Sequence, residues 1–137
     1  MARIITTEYQ KQAVYADVEM SLEKQSDGDI TRDIDVEAIK NSLMNIISTV
    51  PGERRMLPEF AFGAHRLLFE PMDKDTASKL GYSIIEAIQT WDDRINIEEV
   101  KVNADYDNGK YDVVVDFSLK GFGSQAVYSV ETILRAQ

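Results

Sequence analysis

The chain has no cysteine, one histidine, one tryptophan, three prolines and seven glycines in 137 residues. Without cysteine there is no disulfide, no thiolate metal site and no cysteine nucleophile, and the composition fits a reducing compartment. His65 stands alone, so no His-x-x-x-His pair offers zinc-ligand spacing. No G-x-S-x-G elbow is present, and Gly121-Phe122-Gly123 lacks the third glycine of a dinucleotide turn. No apolar run approaches the roughly 18 residues of a membrane-spanning helix. The opening stretch MARIITTEYQKQ lacks the apolar core of a secretory signal. Positive charge is also scarce. Fifteen Lys and Arg stand against 24 Asp and Glu, a net charge of −9 that disfavours nucleic acid and anionic membranes. No cofactor or metal is expected from this inventory.

What is present is a patterned core. Hydrophobic residues make up 44% of the chain, enough for one folded domain. Residues 1–12 carry little pattern and are expected to form a mobile arm ahead of a single domain over 13–137. Val14, Ala16, Val18 and Met20 alternate with polar neighbours, which predicts a strand. Asp35 is placed to cap a helix over residues 36–49, whose apolar face would be Val36, Ile39, Leu43, Ile46, Ile47 and Val50. Pro51-Gly52 ends it. A second long helix begins after Asp73, with Asp75 in its first turn and a stripe of Ala77, Leu80, Ile84, Ile85, Ile88 and Trp91. Gly81 interrupts that stripe, as a close backbone approach would require.

After Arg94 the period changes to two, with a slip at Glu98-Glu99 that reads as a bulge. Asp107-Asn108-Gly109-Lys110 predicts a hairpin with a type I′ turn. Gly121 to Ser124 turns the chain again into a last strand over residues 125–134. The expected fold is α+β: a mixed or antiparallel sheet of about four strands with two long helices on one face.

The segment 51–71, PGERRMLPEFAFGAHRLLFEP, is the least ordinary part. Its Met56, Leu57, Phe60, Phe62, Leu67, Leu68 and Phe69 are too apolar for a solvated linker. Its Pro and Gly content rules out one long element. It is expected to pack down on its own aromatics, start a short helix near His65, and present Glu53, Arg54, Arg55 and Glu59 to a partner. For Arg54, Arg55 and Arg66 two readings stand: an interface, or an internal brace on Glu53, Glu59 or Glu70.

The order PGERR…PEFAFG…LLFEP, following AIKNSLMNIIST at residues 38–49, resembles the baseplate wedge family of contractile-tailed phages. That family reads PGER…P(E/D)FG…LLFEP. Type VI secretion baseplate subunits and small wedge proteins of contractile injection particles look like relatives. The resemblance runs from about Asp17 to the last strand. It implies a structural subunit, present in several copies, that joins the wedge complex at the tube and seeds the sheath. Its partners would be other baseplate wedge proteins and the tail sheath subunit. Its place would be the virion tail baseplate assembled in the host cytoplasm, or a cytoplasmic secretion or injection apparatus.

The family has E-P-R where this chain has Asp92-Asp93-Arg94, and the resemblance implies a contact there with the helical bundle of neighbouring wedge proteins. Asp93 in place of proline removes a fixed φ from that turn; the other reading is that Asp92 and Arg94 form a helix-end pair with no partner protein. The last strand is apolar on both phases, through Tyr128 and Val130 on one and Val127 and Ile133 on the other. It is either buried on both faces or an edge that awaits another chain, and the resemblance implies that sheath strands dock there. Some relatives have carried a lysozyme label. Glycoside hydrolysis needs two carboxylates across a sugar platform, and Glu53, Glu59 and Glu70 have no such platform in the sequence. No enzyme is expected. The rival readings are a lysozyme-like hydrolase and a regulatory anti-adaptor of similar fold.

Overall fold

The structure, a computed structural model, describes residues 16–18, 32–120 and 126–136. The expected arm over 1–12 and the turn at 121–124 lie outside them. Contacts divide the chain into two units at the Ile39–Lys40 boundary, and each is described by itself.

In the first unit, β1 (Ala16–Val18) pairs antiparallel with β2 (Arg32–Ile34), Asp17 opposite Asp33. The sequence pattern placed a strand around β1 but none at β2. Asp35 follows with φ +52°, and its carbonyl accepts the Ile39 N–H at 3.2 Å. The helix therefore starts where expected, but from a left-handed residue instead of the extended one usual at such a cap. Helix α1 spans Val36–Ser48 and runs on into the second unit.

The second unit holds the remainder of α1, a 3-10 turn at His65–Phe69, helix α2 (Lys74–Trp91), and strands β3 (Ile95–Asp105), β4 (Lys110–Leu119) and β5 (Val127–Arg135). The strands form an antiparallel meander in the order β3-β4-β5. Among the described residues the main sheet thus has three strands, one fewer than expected, and β1 pairs with β2 in a separate ribbon.

Local chemistry explains the boundaries. Asp73 accepts the Thr76 N–H at 2.6 Å and caps α2, while the Thr76 hydroxyl donates back to the Pro71 carbonyl. Backbone N–H bonds thereby hold the Asp73 carboxyl below its usual range. Register slips between Ile97 and Glu99, the expected bulge. The hairpin at 106–109 is also where expected, but its turn differs. Asp105 accepts both the backbone and the side-chain N–H of Asn108, so the turn widens and only Gly109 takes a positive φ, +62°.

One sheet face is inside. Tyr111, Val113, Val115 and Phe117 of β4 are fully buried, and Val130 and Leu134 of β5 nearly so. Helix α2 lies against β3 and buries Leu80, Ile84 and Ile88. Leu43, Ile46 and Ile47 of α1 are buried too. The other face carries polar pairs, Lys101 bonded to Asp116 and Asp116 accepting from Ser129, beside the exposed Val127 and Ile133. Val50, counted on the apolar face of α1, is instead 40% exposed beyond the helix end.

Candidate functional site

Three surfaces carry the residues singled out in the sequence. The first is the segment between the helices. It is ordered by its own backbone: Gly52 N–H donates to the Pro58 carbonyl, Leu57 to Arg54, Phe60 to Leu57 and Phe62 to Ile46. Gly52 has φ +93°, which closes the loop without strain only for glycine. The Glu53 carboxylate accepts the Val50 N–H at 3.0 Å.

Phe62, Ala64 and Leu68 are buried and anchor the segment, and Phe60 leans on Trp91 at 5.1 Å between ring centroids. Phe69 at 65% and Leu57 at 49% are exposed, and Met56 at 93% is almost bare. The expectation that these also pack inward is corrected. The loop satisfies its backbone internally before its tip reaches the core, so its apolar tip faces out. Glu53, Arg54, Arg55 and Glu59 are all exposed. The Arg54 guanidinium carbon lies over Phe60, 4.0 Å from the ring centroid. Glu70 takes Lys79, at 3.8 Å, and not an arginine. Among the described residues, none of Arg54, Arg55 and Arg66 meets a carboxylate, so the internal brace is not formed.

The second surface is the corner after α2. Asp92 is 4% exposed, and its carboxylate takes Arg94 Nε at 2.8 Å and Nη2 at 2.5 Å. It also accepts the backbone N–H of Arg94 at 3.2 Å and a bond from Ser42. That two-residue bond fixes the turn and does the work of the missing proline. Burial pushes the Asp92 carboxyl up, but the Arg94 bonds and charge outweigh it and hold the group below the usual carboxylate range. A helix-end pair of Asp92 with Arg94 was one reading of the sequence, and that pair is formed. Of the three only Asp93 is exposed, and the Arg94 side chain keeps 30% of its surface.

The third surface is the outer edge of β5. It pairs with β4 alone among the described residues, Phe117 opposite Tyr128 and Ser118 opposite Val127. Its two apolar phases separate cleanly. Val130 and Leu134 point inward, while Val127 and Ile133 are 57% and 56% exposed. Among the described residues β5 is therefore not buried on both faces.

Chemistry finds little support. Glu53, Glu59 and Glu70 are exposed, so none has the apolar enclosure that a glycosidase gives its acid. His65 opens the 3-10 turn edge-on to Phe62, and its Nε2 is buried without a partner. Among the described residues no cluster of three or more potential metal ligands forms.

The family model described as baseplate wedge protein gp25 matches residues 33–122. The baseplate wedge protein gp25 of Enterobacteria phage T4 is 32% identical over 106 residues, 77% of this chain and 80% of that protein. A Geobacter sulfurreducens protein named as a tail lysozyme shares the fold with TM-score 0.67 at 22% identity, covering 74% of this chain and 90% of its own. A chain of the anti-feeding prophage baseplate aligns with TM-score 0.60 at 20% identity, over 90% of this chain and 86% of that one. A chain of the post-contraction pyocin R2 baseplate aligns with TM-score 0.58 at 24% identity, over 73% and 97%.

Proposed function

The chain belongs to the family of baseplate wedge protein gp25, and from that membership we propose that it joins the wedge complex at the tube and seeds the sheath. It is a baseplate wedge protein of a contractile tail or injection system. Its action is binding and not hydrolysis.

The observation that carries the finer reading is the asymmetry of the two sheet edges. Both edges carry exposed charges, Glu99 and Lys101 on β3 and Glu131 and Arg135 on β5, but β3 is also bulged at Glu98, a device that discourages a further strand. The β5 edge is regular over its whole pairing with β4. A sheath strand adding to β5 would pair with its main chain and cover Val127 and Ile133. Val127 and Tyr128 begin that edge. The Arg94 guanidinium, positioned by Asp92, supplies the contact to the helical bundle of the wedge neighbours. Glu53, Arg54, Arg55 and Glu59 present the loop to the same complex.

The partners on this reading are other wedge proteins and the sheath subunit, in several copies per particle, with no nucleic acid or membrane involved. The place of action is the tail baseplate, assembled in the host cytoplasm, or the equivalent injection apparatus. Co-expression with the wedge proteins of neighbouring reading frames should yield a complex that co-purifies and nucleates sheath polymerisation. Release of muropeptides from cell walls by the purified chain, lost in Glu53→Gln or Glu59→Gln, would favour the hydrolase instead.

A further inference from the structure

The loop at 51–59 is built as a preformed display, and its chemistry specifies what it meets. Four backbone hydrogen bonds order it, yet every residue in it is exposed. Among the described residues nothing covers Met56, which is 93% bare, and Leu57 and Val50 are exposed as well. Arg54 is unusual in a second way. Its guanidinium lies over Phe60, which is braced by Trp91 at the end of α2. A guanidinium held over a ring has given up part of its side-chain freedom in advance, and among the described residues its N–H groups meet no carboxylate, which leaves them for a bidentate bond. Arg55 adds a second cation with no acidic partner among the described residues. Glu53 and Glu59 flank these two cations, so the loop as a whole is neutral, but Glu53 is engaged by the Val50 N–H while Arg54 and Arg55 stand side by side.

We propose that the loop docks an acidic, amphipathic segment of a neighbouring wedge protein. Arg54 would clamp a carboxylate of that segment, and Met56 and Leu57 would enter its apolar face. The proposal rests on the wedge reading and names the partner chemistry of one of its surfaces. A protein segment fits better than other anions because it offers a local carboxylate beside apolar groups. The acidic body of this chain repels extended polyanions and anionic bilayers. Methionine suits such a tip, since its flexible thioether adapts to an irregular partner surface.

The test uses the full chain and two probes: the intact wedge proteins of neighbouring reading frames, and overlapping short peptides that tile them. The peptides that bind should carry Asp or Glu beside apolar residues, and their affinity should fall as KCl rises. Arg54→Ala should weaken them about tenfold or more. Arg54→Lys should fail to restore binding, because a point charge lacks the fork. Phe60→Leu should weaken binding in part, and Met56→Ser should weaken it without changing the melting temperature.

If the intact neighbours bind while Arg54→Ala and Met56→Ser leave their affinity unchanged, this proposal falls and the wedge reading stands. If no wedge neighbour binds at all, both fall together. Self-association, or capture by phosphatidylglycerol vesicles, that Met56→Ser abolishes would show that the occupant is a second copy or a membrane, and would overturn the proposal.

Discussion

At the residue scale, Asp92 and Ala61 show what single side chains decide. Asp92 is buried against a partly exposed Arg94, and the pair closes the corner between α2 and β3. Its carboxyl is held below the usual range in the folded protein but is ordinary in the unfolded chain. Its contribution to stability is therefore complete above the ordinary carboxyl pKa of about 3.9 and is lost as pH falls through the depressed folded value. Asp92→Asn should cost about 1–3 kcal/mol at neutral pH, below the cost of breaking a fully buried pair, because water still reaches Arg94. It should also flatten the acid limb of a stability–pH curve measured by denaturant titration. Ala61 has φ +155°, in a region that favours glycine. If the family form P(E/D)FG is laid on Pro58-Glu59-Phe60, glycine falls at this position. Ala61→Gly should raise stability by about 1 kcal/mol, since strain of about 1–3 kcal/mol exceeds the entropic cost of a glycine. The pairing of Asp92 with Arg94 was one reading of the sequence, but the burial of Asp92 was not visible in it. Composition alone does not announce a positive φ at Ala61, which only the family form hints at.

At the element scale, Gly81 separates position from necessity. The sequence suggested a close approach, and α2 does pass β3 there. A Cβ at Gly81, however, would meet Val102 at 3.6 Å, an ordinary contact. Gly81→Ala should stabilise the protein by roughly 0.8–1 kcal/mol through helix propensity, read as a higher denaturation midpoint. For β5 the expectation concerns direction. Successive N–H groups along a strand alternate, so one of Val127→Pro and Tyr128→Pro should leave the fold intact and block sheath docking, while the other destabilises. Unfolding by both, followed by circular dichroism, would place β5 inside a larger sheet. The long helices, the meander and its bulge were legible because each rests on a sustained period of apolar residues. The β1–β2 ribbon was only half legible, because β2 has three residues and no pattern of its own. The hairpin was legible in place but not in turn type, because the Asp105 carboxylate, outside the Asn-Gly signal, captures Asn108.

At the scale of the whole molecule, the fold class followed from periodicity, and the family from the order of short motifs along segment 51–71. What the sequence left open was which apolar residues serve the core and which serve a partner. Phe62 and Met56 look alike in composition, yet one is fully buried and the other almost bare. Hydrophobicity records a need for burial but not by which chain. The central claim is that this protein acts as a bound wedge subunit, and cryo-electron microscopy of the assembled baseplate with its first sheath ring tests it most directly. The account predicts density for this fold within the wedge, with its β5 edge extended by a sheath strand and its corner at Arg94 against the wedge bundle. Particles that assemble wedge and sheath normally from a mutant lacking this chain, with no density at that place, would contradict it.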